Sequence, residues 1–149
     1  MSLKERIIED MKAAMRAKQA QRLSAIRLLL AAIKQKEIDE RISLSDADVL
    51  GIVEKLIKQR RDSIAQYQPA GRQDLVDAET FELNLLQAYL PQQLTDAELA
   101  GEVEGAIGQT GAAGAKDMGK VMGLLKGRLA GRADMGKVSA LVKARLANR

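Results

Sequence analysis

The stretch KDMGKVMGLLKGRLAGRADMGKVSALVKARL, residues 116–146, nearly repeats itself. At an offset of 17 residues, Asp117-Met118-Gly119-Lys120-Val121 matches Asp134-Met135-Gly136-Lys137-Val138. The match continues in register through Leu124/Leu141, Lys126/Lys143, Arg128/Arg145, Leu129/Leu146 and Ala130/Ala147. Apolar residues recur at helical spacing in both copies: Met118, Val121, Met122, Leu125 and Leu129 in the first, Met135, Val138, Val142 and Leu146 in the second. An aspartate precedes each run, where its oxygen can accept from the free N–H groups of a first helical turn. The stretch therefore reads as two short capped helices joined at Gly131-Arg132-Ala133. Two copies make a helical hairpin, since a solenoid needs three or more.

The preceding chain extends this helical reading. Ser2-x-x-Glu5 has the form of a capping box, followed by Leu3, Ile7, Met11 and Ala14/Met15 on one face. A second helix carries Leu23, Ile26, Leu30 and Ile33, and Leu28 and Leu29 widen its stripe enough to meet more than one neighbour. Ser45 is the expected N-cap of a third helix, with Val49, Ile52/Val53, Leu56, Arg60 and Ile64. Pro69 separates it from a fourth helix that ends before Pro91, and Thr95-x-x-Glu98 opens a fifth. No segment alternates with a two-residue period, so the fold class is all-α.

Glycine usage marks the domain organisation. Ten of the twelve glycines lie beyond residue 100, and residues 108–116 read as a flexible connector. The expectation is an N-terminal four-helix unit over residues 1–93 and a small C-terminal three-helix domain over residues 94–149.

The chain has neither cysteine nor histidine, which excludes disulfides, thiolate metal sites and imidazole catalysis. Gly119-Lys120 and Gly136-Lys137 do not complete a phosphate-binding loop, because Val121 and Val138 stand where Ser or Thr belongs. Asp46/Asp48 and Glu102/Glu104 are two residues apart and diverge on a helix. No catalytic residue, metal or cofactor is expected. Nothing at the N-terminus resembles a signal peptide, and no apolar run approaches the roughly 18 residues of a membrane span. The expected setting is cytoplasmic, with no membrane partner.

Charge points to a partner. Residues 110–149 carry nine Lys/Arg against Asp117 and Asp134 alone, whereas residues 1–109 are net acidic. Lys120, Lys126, Arg128, Arg132, Lys137, Lys143 and Arg145 are the candidate nucleic-acid-binding residues, because clustered cations match phosphates. No aromatic residue follows Tyr89, so bases have no stacking platform there, and a folded RNA gripped by its backbone fits better. Gly119, Gly123 and Gly127 recur every four residues, matched by Ala140 and Ala144 in the second copy. Two uses are open for this small-residue stripe: close helix–helix packing, or close approach of a partner backbone. A membrane helix contact is excluded by Lys120, Lys126 and Arg128 within the run.

KQRRDSIAQYQPAGRQDL (58–75), ELNLLQAYLPQQL (82–94) and the repeated tail together resemble the GatB/YqeY family, in particular its stand-alone YqeY-like members. The resemblance spans almost the whole chain. In the related amidotransferase B subunit, similar helical domains are appended to a core that makes Gln-tRNA or Asn-tRNA, and the terminal domain is implicated in holding the tRNA. The resemblance therefore implies a non-catalytic accessory protein that binds tRNA or another structured RNA. It also implies two alternatives: an adaptor docking on an aminoacylation or amidotransferase enzyme, or carbon–nitrogen ligase activity with glutamine as amido donor, exercised only within a larger complex. One departure is Met135 in Asp134-Met135-Gly136, where the family commonly has Asp-Gly followed by small residues.

Overall fold

The computed structural model describes residues 1–148. Among them are seven α-helices and no strand: α1 (Leu3–Arg16), α2 (Ala20–Glu40), α3 (Asp46–Tyr67), α4 (Gln73–Gln87), α5 (Asp96–Thr110), α6 (Met118–Arg128) and α7 (Met135–Ala147). A single 3-10 turn, Ala115–Asp117, precedes α6. The fold is all-α, as its sequence implies.

Three helix starts are fixed by reciprocal capping. Ser2 Oγ accepts from the Glu5 N–H at 3.1 Å while the Glu5 carboxylate accepts from the Ser2 N–H at 3.2 Å. Ser45 and Asp48 do the same for α3, and Thr95 and Glu98 for α5. Each box satisfies two backbone donors that a helix start otherwise leaves free. The backbone N–H of Ser45 draws the Asp48 carboxyl below its ordinary range, and that of Thr95 does so for Glu98. The α6 start differs. Asp117 does not cap it through its side chain, but accepts from the Ala113 N–H at 2.9 Å, whereas Asp134 accepts from the Gly136 N–H at 2.9 Å as its sequence predicts. The expected connector is also shorter: α5 runs to Thr110, Gly111 turns the chain at φ 66°, and Ala112 is buried.

The chain divides into two compact units, Met1–Leu90 and a second beginning at Pro91. In the first, Ile7 of α1, Ile26, Leu29 and Ile33 of α2, and Val49 and Val53 of α3 are wholly buried. Tyr89, just beyond α4, is buried beside them; its hydroxyl donates to Asp10 at 2.7 Å and Arg6 lies over its ring. Burial and that carboxylate push the phenol well above its ordinary pKa.

The second unit buries one row from each helix: Leu99, Val103 and Ile107 of α5, Val121, Leu125 and Leu129 of α6 with the residue that follows it, and Val138, Val142 and Leu146 of α7. Gly131, at φ 74°, turns the chain between α6 and α7. That turn is stitched to the segment before α5: the Leu94 N–H donates to the Arg132 carbonyl at 2.9 Å, and Gln93 Nε2 to the Gly131 carbonyl at 2.5 Å.

The Ser45–Asp48 and Thr95–Glu98 boxes set an acid limit. Carboxyls with depressed folded-state pKa values contribute stability above their ordinary range and lose it as pH falls through the folded values. The melting temperature is therefore expected to stay level down to about pH 5 and to fall below about pH 4. Glu98→Gln, which keeps the box geometry but not the titration, should flatten part of that fall in calorimetric melts.

Candidate nucleic-acid interface

The buried row of each repeat helix fixes where its other residues face. At 3.6 residues per turn, Gly119, Gly123 and Gly127 lie on the side of α6 opposite Val121 and Leu125, bordered by Lys120 and Lys126. In α7, Gly136, Ala140 and Ala144 occupy the same positions, bordered by Lys137 and Lys143. All six small residues are exposed. A Cβ built on Gly119, Gly123 or Gly127 meets nothing within 4 Å. The stripe is therefore not a helix-packing seam. The close-packing expectation for Gly119, Gly123, Gly127, Ala140 and Ala144 is corrected, because the packing is done by the aliphatic rows on the other side.

The seven cations fall into distinct settings. Arg128 reaches across to α5, with its guanidinium 3.7 Å from Glu102 and donating to Gln109 at 2.8 Å. Arg145 pairs with Glu104 and Lys137 with Asp96, both also on α5. Arg132 is half-buried in the turn and its Nε donates to the Gln92 carbonyl at 3.4 Å. Lys120 stands 3.9 Å from Asp117. Lys126 and Lys143 are exposed and have no ion-pair partner among the described residues.

Sequence spacing missed the counter-ions. Glu102 and Glu104 do diverge, and that divergence lets one helix hold an arginine from each repeat copy: Glu102 takes Arg128 and Glu104 takes Arg145. The two-residue spacing carried this signal, but only a three-helix arrangement reveals its use. In the first unit, Arg60 is likewise committed, with Nη1 donating to Glu82 at 2.7 Å and Nε in ionic contact with Glu79 at 3.2 Å, without hydrogen-bond alignment. Among the described residues, no group of three or more acidic side chains stands together as a metal cage, and no helix is long and apolar enough to cross a membrane.

These features define an all-helical protein with an aliphatic core in each unit and a basic, glycine-edged surface on a helical hairpin. The chain belongs to the YqeY-like protein family, whose model matches residues 4–146. It is 47% identical over 83 residues to altered inheritance of mitochondria protein 41, mitochondrial, of Eremothecium gossypii, covering 55% of this chain and 45% of that protein. The protein of the same name from Kluyveromyces lactis is 44% identical over 82 residues (54% and 44% covered). The Saccharomyces cerevisiae protein is 38% identical over 91 residues (60% and 49% covered). The chain thus spans about half the length of the curated relatives it matches. These names overturn the cytoplasmic expectation, because the similar proteins are mitochondrial by name. The features used for that expectation, a missing leader pattern and missing apolar spans, do not specify a compartment.

The exposed glycines yield a stability prediction. Gly123 sits inside α6 with open space where a side chain would be. Gly123→Ala is expected to raise stability by about 0.5–1 kcal/mol, read as a higher denaturant midpoint with unchanged slope.

Proposed function

We propose that this chain is a non-catalytic accessory protein whose C-terminal unit holds the phosphate backbone of a folded RNA, with tRNA as the leading candidate. The observation that carries this reading is the pair Lys126 and Lys143. They occupy the same place in each repeat copy, remain exposed, and have no ion-pair partner among the described residues. Each borders a strip of small residues, so a phosphate can approach the helix without meeting a bulky side chain. Lys120 and Lys137 border the same strips and join them with weaker claims, since carboxylates stand beside them. Arg128, Arg145 and Arg132 act mainly by holding the three helices and the turn in place.

The lack of aromatic residues in this unit supports recognition of backbone and shape over splayed bases. The YqeY-like membership supports the same reading through the resemblance of this tail to a tRNA-holding domain. Amide transfer with glutamine as donor is assigned to no residue of this chain; it belongs, at most, to a larger complex in which this protein takes part.

The test is binding of purified tRNA across about 50 to 200 mM salt. Affinity should fall steeply with salt. Lys126→Glu combined with Lys143→Glu should weaken binding at least about tenfold at low salt and reduce the log–log salt slope by about two. Arg128→Gln with Arg145→Gln should change the slope less. A flat salt response, or unchanged binding in the lysine variant, would refute the reading.

A further inference from the structure

In the first unit, α2 is apolar on two sides. Ile26, Leu29 and Ile33 are completely buried, yet Leu28 is 57% and Ile38 59% exposed, and Ile42, just past the helix, is 47% exposed. Ala31, also exposed, lies between Leu28 and Ile38 on this outer side. Leu28 lines a cavity of about 210 Å³ with Ala25, Leu56 and Leu86, walled by the Arg60–Glu82 pair. A second hollow of about 460 Å³ between α2 and α3 shares Leu56 with the first, but its lining is largely polar, with Lys36 and Lys55 set against Asp39 and Glu40. Leu28 thus borders a groove whose apolar part is the first hollow, while Ala31 and Ile38 extend the exposed stripe along the outer side of α2.

Charge narrows what fits there. Arg27 and Lys34, seven residues apart, run beside the apolar stripe on the flank away from the groove, and Arg41 stands at the helix end. All three are exposed, and none has an ion-pair partner among the described residues. We propose that this face docks an amphipathic helix of a partner protein, one that carries a row of carboxylates beside its apolar stripe. The apolar hollow at Leu28 and the outer stripe receive the apolar face, and Arg27 and Lys34, on the flank away from Asp39 and Glu40, meet the carboxylates.

A second copy of this chain fits less well. Docked antiparallel, α2 would set the Arg27–Lys34 row against itself; docked parallel, it would offer that row only Ala32 and Asp39. Asp39 already accepts from Gln35 Nε2 at 2.8 Å. RNA gains nothing from Leu28 and Ile38, which provide neither donor nor stacking surface. The inference is independent of RNA binding by the second unit.

The full chain is titrated calorimetrically with two synthetic helical peptides that share one Leu/Ile spacing, one bearing a glutamate row and the other a lysine row. The glutamate peptide should bind, and the lysine peptide should bind at least about tenfold more weakly. Leu28→Asp should weaken the glutamate peptide at least about tenfold, and Arg27→Glu with Lys34→Glu should reverse the preference. Lys126→Glu with Lys143→Glu should leave peptide binding unchanged. Leu28 and both cations are exposed, and Leu28→Ser gives a milder variant should Leu28→Asp lower the melting temperature. Absent or charge-blind peptide binding would overturn the proposal. So would a dimer in sedimentation that Leu28→Asp dissolves, tRNA binding lost in Arg27→Glu/Lys34→Glu, or phosphatidylserine vesicles captured through Leu28.

Discussion

Three buried aliphatic rows decide what the second unit presents to solvent. Leu99-Val103-Ile107, Val121-Leu125-Leu129 and Val138-Val142-Leu146 all step by four residues. Four residues advance a helix by about 40° beyond a full turn, so each row is an oblique ridge of the kind that packs into a neighbour's groove. Once such a row faces inward, the remaining positions have no freedom of direction. Arg128 and Arg145 fall beside α5, Lys126 and Lys143 face outward, and the glycine and alanine strips lie opposite the core. Hydrophobic burial is non-directional, so the register of each helix is fixed elsewhere: by the Thr95–Glu98 box, the Asp134 cap and the Gly131 turn.

Arginine and lysine divide the work of the repeat along chemical lines. A guanidinium is a planar fork suited to carboxylate and amide oxygens, and Arg128 engages both Glu102 and Gln109. An ammonium on a flexible stem is a point charge that reaches whatever anion is near. Counting all seven cations as one binding patch therefore overstates the charge available to a ligand. The acidic face of α5 neutralises part of it within the unit, through Asp96, Glu102 and Glu104.

Much of the helical framework was legible because its signals are local. Ser2, Ser45 and Thr95 announce their helices through a residue three positions on, and the apolar spacing identifies the inward faces. What stayed hidden depends on neighbours distant in sequence. A glycine stripe reveals that a helix has a smooth side, but glycine carries no hydrophobic signal to say whether that side faces a helix or water. The width of the α2 stripe was visible, yet how far the fold covers Leu28 was not; it stands at the rim of a hollow with more than half its surface bare. Asp117 has the same sequence context as Asp134, yet a 3-10 turn diverts it to the Ala113 N–H.

The two repeat copies are consequently unequal despite their shared phrase. Within α6, glycine at Gly119, Gly123 and Gly127 costs helix stability relative to alanine, and no packing contact offsets the loss. An eleven-residue helix is marginal alone, so α6 keeps its form through its buried row and the ties to α5. In α7, the methyl groups of Ala140 and Ala144 cover the equivalent backbone and favour the helix. Under the proposed RNA reading, a phosphate comes nearest the peptide backbone along α6, between Lys120 and Lys126, while α7 offers the same charge pattern from a firmer and slightly more distant surface. The bare strip on α6 then has a physical use that packing does not give it.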